Sequence, residues 1–374
     1  MKIRTVFLIV SVTVVVLFAS LVMAGRSRRD DLYRALGNLA QVVHLIHTRY
    51  VDPVNLGALG EGLDAGLVES ADPRAAVLDD AEVKAYRTLL KDPPPFGIVL
   101  GLRLGTAAVR QALPGSPAAA AGLKEWEILE EVQGLPTRGM PLWRVRLLLA
   151  SHAKDGQTIT MTVFGRNIEK RRQVKLSPTL WRPVVATSSE REGVEIVTVT
   201  SLLAGAAPKI AALVGHGPLI LDLRHLVWGH EDQAMAVADL FASKGVLGIW
   251  KGRQAGSQRF DAHPSRSSAG KPVVLVGPDT EGVGEILAAA LRRAGCSVVG
   301  TATGSHADHM MLIHEKGLNL LLPVGHWLTS TGRPIDTDGV VIDEKVQLEG
   351  AKKGTDPVLK RGLELARGRH GKAA

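Results

Sequence analysis

Cysteine is almost absent from this 374-residue chain: Cys296 is the only one, so no disulfide framework within the chain is available to staple it. It stands between Gly295 and a valine-rich run, the setting of a buried thiol. Excess positive charge is missing from the body, although the net charge of +8 first suggests a nucleic-acid partner. Residues 1–29 hold five basic and no acidic side chains, and residues 351–374 hold seven basic and two acidic, which leaves residues 30–350 at −2. Nucleic-acid binding is therefore not expected, and the terminal charges are assigned to lipid head groups or to solvent. A metal motif is lacking too. His306, Asp308, His309 and His314 crowd one segment and His326 follows, yet their spacing matches no specific ligand pattern, so neither a metal nor another cofactor is expected.

What is present begins with an apolar run. Residues 6–24 are apolar or small throughout, preceded by Lys2 and Arg4 and followed by Arg26, Arg28 and Arg29. Such a stretch, at a rise of ~1.5 Å per residue, spans most of a ~30 Å hydrocarbon core. Two readings stand: an uncleaved signal anchor within 1–29, or a signal peptide cleaved after Val22-Met23-Ala24 to give a secreted form. With 45% hydrophobic residues, the remaining chain is long enough for two or three domains with cores.

Residues 30–91 read as a helical region, with Leu32, Leu36, Leu39, Val42, Val43 and Ile46 at three- and four-residue spacings and breaks at Asp52-Pro53 and Asp72-Pro73. After Asp92-Pro93-Pro94-Pro95 comes a second segment, 92–180. Its Leu113-Pro114-Gly115-Ser116-Pro117 turn leads into an alanine-rich helix and then the strand-like Ile128–Val132. From 185 to 350 apolar strands alternate with helices: strands at Val194–Val199, Leu219–Leu223 and Pro272–Val276, helices at Ala204–Val214, Gln233–Ala242 and Val283–Ala294. That alternation predicts a mixed α/β core. Residues 252–270, rich in Gly, Ser, Arg and His, read as a loop, and 351–374 as a basic tail.

The second segment resembles a PDZ domain. The resemblance implies that the loop Phe96-Gly97-Ile98-Val99 offers backbone N–H groups to a terminal carboxylate, while a peptide adds as a strand beside a helix carrying Leu142, Val145 and Leu149. The competing reading makes those three residues the core of a fold that binds nothing.

The chain from about Leu32 to Leu365 resembles the C-terminal processing (tail-specific) peptidases, a Ser/Lys-dyad family, through Leu219-Ile220-Leu221-Asp222-Leu223-Arg224, the strand–loop–helix around Glu285, and the closing Asp356-Pro357-Val358-Leu359, with residues 185–350 as the peptidase-like core. The resemblance places the family's nucleophile position at Gly282, within Thr280-Glu281-Gly282-Val283-Gly284-Glu285, and its base position at His306. The oxyanion-loop positions fall at Trp228 and Gly229. Glycine cannot attack a carbonyl, histidine without a nucleophile has nothing to activate, and tryptophan restricts a backbone that must present donors. The expected protein is thus a peptidase-like α/β core with an inserted PDZ domain and an N-terminal helical region. It would be anchored in a bacterial cytoplasmic membrane with its body on the periplasmic side, without its dyad, and would bind polypeptide C-termini or a partner protein. The alternatives are an active serine endopeptidase with a rearranged site, and Thr280 or Ser305 as a substitute nucleophile beside His306.

Overall fold

The structure, a computed structural model, describes residues 33–72, 74–90, 93–165, 170–179, 181–254, 256–263, 270–305, 307–348 and 355–370. The apolar segment 6–24 lies outside the described residues, and among those described no helix is long and apolar enough to cross a membrane. The chain divides into two compact units, 1–70 and 71–374. In the first, α1 (33–49) and α2 (Leu56–Ala71) are separated by the expected break around Pro53. Leu36, Val42, Leu56 and Leu67 all stay exposed, and α2 buries none of its residues.

The second unit starts with β1 (Ala76–Leu78) and α3 (Asp80–Leu89), so the helical reading of 30–91 is corrected by a strand that pairs antiparallel with a hairpin far along the chain. Asp79 caps α3, accepting from the Glu82 N–H at 2.7 Å while Glu82 accepts from the Asp79 N–H.

A sheet unit follows: β2 (Ile98–Arg103), β3 (Thr106–Ala112), the short α4 (Pro117–Ala120), β4 (Ile128–Val132), β5 (Leu135–Pro136), α5 (Leu142–Lys154), β6 (Ile159–Phe164) and β7 (Arg172–Leu176). Its strand order is β2-β3-β4-β6-β7, all antiparallel, with β2 at one free edge. The alternating Ile159, Met161 and Val163 point inward on β6 and meet Val145 and Leu149 of α5 in one core.

The last part contains β8 (Ala186–Arg191), β9 (Val194–Val199), α6 (Ala206–Ala211), β10 (Leu219–Asp222), α7 (Glu231–Asp239), β11 (Val246–Gly252), β12 (Ser257–Asp261), β13 (Val273–Val276), α8 (Val283–Arg293), β14 (Ser297–Gly300), β15 (Asp308–Glu315), β16 (Leu318–Trp327), α9 (Ile335–Asp338), β17 (Glu344–Lys345) and α10 (Pro357–His370). One sheet runs β17-β14-β13-β10-β9-β8 and is parallel except for β8. Every residue of β10 and β13 is buried, as continuous apolar runs require when helices cover both faces. The helix α8 lies on one face, buried from Val283 to Leu291, and α10 covers the other through Val358, Leu363 and Ala366.

A second sheet orders β1-β16-β11-β12, with β15 also paired to β16. The strand β12 corrects the loop reading of 252–270. Its Phe260 stacks on Trp327 at 5.3 Å, so packing recruits a polar segment that propensity alone leaves irregular. Cys296 is buried, as its setting in the sequence requires.

Candidate functional site

The parallel sheet delivers three loops to one region. The first leaves β10, whose Asp222 pairs with Arg224 at 2.7 Å, and Arg224 also reaches Asp356 at 2.7 Å. Asp356 in turn accepts from the Leu359 N–H at the start of α10. The two stretches that sequence alone singled out separately, around Asp222 and Asp356, are therefore joined by one guanidinium that fixes the end of β10. Burial alone would lower the Arg224 pKa, and its carboxylate partners outweigh this and raise it.

From there the loop runs through His225 to Gly229. Leu226 is buried, and its carbonyl accepts from the Glu281 N–H at 3.2 Å. Trp228 is half-buried, with its ring 6.4 Å from that of His230; its carbonyl accepts from the Leu202 N–H, and the His230 N–H donates to the Leu202 carbonyl. Gly229 has φ +151°, and a Cβ there would come within 2.7 Å of the Leu202 backbone. This position accepts only glycine, whereas its neighbour tolerates tryptophan.

The second loop joins β13 to α8 and contains Gly282. The glycine is the N-cap of α8 with φ 54° and ψ −112°, a strand–turn–helix geometry that projects its α-carbon at the mouth of the loops and carries no side chain there. Glu285, fully buried, holds the turn: its carboxylate accepts from the Gly282 N–H at 3.1 Å, from the Thr303 hydroxyl at 2.5 Å and from the Ser305 N–H at 2.8 Å. One carboxylate thereby ties the turn to the third loop, which follows β14. Gly284 makes the same junction possible from below, since a Cβ would lie 2.2 Å from the Leu226 carbonyl oxygen.

Two hydroxyls near the turn, those of Thr280 and Thr303, are already engaged. Thr280 is fully buried, donates to the Leu223 carbonyl at 3.0 Å and accepts from the Gly277 N–H at 3.0 Å. Thr303 donates to Glu285 and accepts from the Val340 N–H. Thr280 is a loop-stapling residue, and its geometry gives no support to a substitute nucleophile. Ser305 stands at φ 60° on the base-position loop. His306 lies outside the described residues.

Sequence reasoning missed Arg110. This β3 residue is buried to 4% exposure, and its guanidinium meets Glu281 at 2.5 Å, Asp279 at 3.2 Å and Glu125, while Trp126 packs 4.6 Å from its centre. Burial pulls its pKa down, and Glu281, Glu125 and Asp279 more than reverse that. Gln111 donates to the His225 carbonyl at 3.0 Å. The sheet unit is thus bound to the oxyanion-position loop and to the residue preceding Gly282, around a cleft of about 200 Å³ lined by Arg110, Gln111, Glu125, His225 and Asp279. The readable signal was a charge embedded in the apolar strand Ala107-Ala108-Val109-Arg110, which demands a buried partner.

The residues expected to bind peptide are brought together, but not as an open surface. Phe96, Ile98 and Val99 are buried, Val145 and Leu149 have no exposure, and Leu142 is half-buried against the same core. The Gly97 N–H donates to the Pro94 carbonyl at 2.8 Å and the Ile98 N–H to the Pro95 carbonyl, closing a short helical turn. Beside them, Arg146 of α5 donates to the Leu100 carbonyl of β2 at 3.4 Å, so that carbonyl faces the helix rather than β3.

Comparison with known proteins follows the same outline. Residues 200–346 match the family model Peptidase family S41. The chain is 26% identical over 370 residues to the carboxy-terminal-processing protease of Bartonella bacilliformis, covering 92% of this chain and 84% of that one. It is 24% identical over 335 residues to the carboxy-terminal processing protease CtpA of Bacillus subtilis, covering 87% and 70%. Among solved structures, the photosystem II D1 C-terminal processing protease superposes with a TM-score of 0.63 at 19% identity, over 86% of this chain and 89% of that one, which establishes the shared mixed α/β fold. The region matched to Peptidase family S41 carries the β10 loop, the Gly282 turn and the loop after β14, and over most of its length the chain is similar to carboxyl-terminal processing proteases.

Proposed function

We propose that this protein is a catalytically silent member of the carboxyl-terminal processing protease family that binds polypeptide C-termini, or a partner protein, through the sheet unit at 96–176 acting as a PDZ domain. The observation that carries the silent reading is Gly282: the α8 N-cap offers no nucleophile, and the adjacent Thr280 hydroxyl is buried with both of its hydrogen-bonding roles filled. The binding reading rests on β2, an edge strand among the described residues that runs beside α5, where an incoming strand could add to the sheet. Because the Gly97 and Ile98 N–H groups are engaged, the cation of Arg146 becomes the group that meets a terminal carboxylate. Residues 6–24 anchor the protein in the bacterial cytoplasmic membrane with the body on the periplasmic side, in keeping with the length of that apolar run.

The test is incubation of the purified full-length protein with an unstructured polypeptide ending in an apolar residue, beside Gly282→Pro. Neither protein should cleave it. Cleavage by the unmodified chain that Gly282→Pro loses would overturn the silent reading in favour of an active serine-type endopeptidase. Binding is read separately from the anisotropy of a labelled peptide: a free C-terminus should bind and its amide should not, and equal binding would remove carboxylate capture.

A further inference from the structure

Asp308 opens β15 and stands directly across from His326 on β16. After β16 the chain reverses through a bridge between Leu328 and Pro334, which returns Asp336, in the first turn of α9, to the same corner. The His326 Nδ1 lies 2.8 Å from Asp336 Oδ2 and 3.8 Å from Asp308 Oδ1, and one donor atom from each residue falls within 4.8 Å of the other two. Donors around a tetrahedral cation with bonds of ~2.0–2.1 Å stand about 3.3 Å apart, a value these separations bracket. We propose that Asp308, His326 and Asp336 bind a divalent first-row transition cation such as Zn²⁺.

Three further observations support the assignment. Asp336 Oδ1 is buried and has no hydrogen-bond partner among the described residues. Asp308 has a side chain only 7% exposed. Arg74 is shared between Asp72, at 2.8 Å, and Asp308, so the carboxylates of Asp72, Asp308 and Asp336 gather near one guanidinium, a setting that favours an added cation. Arg74 holds Asp308 Oδ2, which leaves Oδ1 directed at the site. His326, 57% exposed, gives the ion its entry path and leaves remaining positions to water. One imidazole and two carboxylates make a donor set suited to such cations rather than to the softer thiolate-bound ones.

The neighbouring histidines do not compete, because His309 pairs with Glu231 at 2.9 Å and stacks on Trp250, and His314 pairs with Asn319. A bound ion would cross-link the start of β15, the end of β16 and α9. The experiment is calorimetric titration of chelator-treated full-length protein with Zn²⁺, with Mg²⁺ as comparator and circular dichroism as the control for folding. One equivalent should bind, at least tenfold more weakly in His326→Ala and in Asp336→Asn, and Zn²⁺ should raise the Tm of the unmodified protein but not of His326→Ala. Arg74→Gln should keep the stoichiometry. Absence of saturable Zn²⁺ binding, or binding that survives both ligand substitutions because other histidines of the chain supply it, overturns the proposal.

Discussion

Arg110 and Arg146 belong to the same sheet unit, one on β3 and the other on α5, and their surroundings are opposite. Arg110 is ringed by Glu281, Asp279 and Glu125 with an indole against it, whereas Arg146 has no carboxylate partner among the described residues and makes one long contact to a backbone carbonyl. Burial lowers the Arg146 pKa, with Tyr86 opposing, while carboxylates raise that of Arg110. A buried charge without a counter-charge costs stability, and one that is fully paired becomes hard to remove. Arg110 therefore holds the unit onto the Gly282 turn, whereas Arg146 is the cation that the proposed binding reading assigns to a terminal carboxylate.

The largest effect expected is from Arg110→Ala. It leaves three acidic groups crowded beside the turn, and a loss of about 3–5 kcal/mol in chemical denaturation follows the usual consequence of breaking a buried network. A loss below ~1 kcal/mol would show that the ion cluster adds nothing beyond surface pairing. Glu285→Gln comes next. The amide keeps the shape but cannot accept as a carboxylate from the Gly282 N–H, the Thr303 hydroxyl and the Ser305 N–H together, so about 1–3 kcal/mol should be lost. Amide exchange should quicken at Gly282 and Ser305 while β13 remains protected.

Much of this was legible in the sequence, and the division has a physical basis. The strands β10 and β13 and the helix α8 are apolar runs bounded by turn residues, and both their type and their place at the centre of the fold were read within a residue or two. Gly282 and Gly229, both at positive φ in the structure, were singled out through the family resemblance. Arg110, Asp336 and β12 were not, because each takes its role from residues far along the chain: Arg110 from Asp279 and Glu281, Asp336 from Asp308, β12 from its pairing with β11 and the stacking of Phe260 on Trp327. Periodicity carries no register between distant segments. Val145 and Leu149 lie in one core with Phe96 and Ile98, and Leu142 packs against it, which agrees with the competing reading of those three α5 residues as core.

A smaller effect separates the two sides of the Arg110 cluster by pH. The Glu125 carboxyl has its pKa raised by burial, with the nearby Asp279 adding to it against the pull of Arg110. A raised acid favours the folded state while protonated: its contribution is complete below the unfolded pKa and is lost as pH rises through the folded value. Glu125→Gln should therefore flatten the fall in stability on going from acidic to neutral pH, and denaturation midpoints recorded across that range should converge at the acidic end.

Arg146→Met closes the comparison with the smallest expected change in stability. The substitution removes a desolvated charge that has no acidic partner, keeps most of the side-chain volume against β2, and should shift the unfolding free energy by no more than about 1 kcal/mol in either direction. Its effect on ligand binding should run the other way. A charge-assisted contact to a carboxylate contributes roughly 1.5–3 kcal/mol, so the affinity for a peptide with a free C-terminus should fall about tenfold or more, while an amidated peptide is unaffected. If the two peptides respond alike, Arg146 is a packing residue of the α5–β2 contact. The two arginines would then differ only in how they are paired, and not in what they hold.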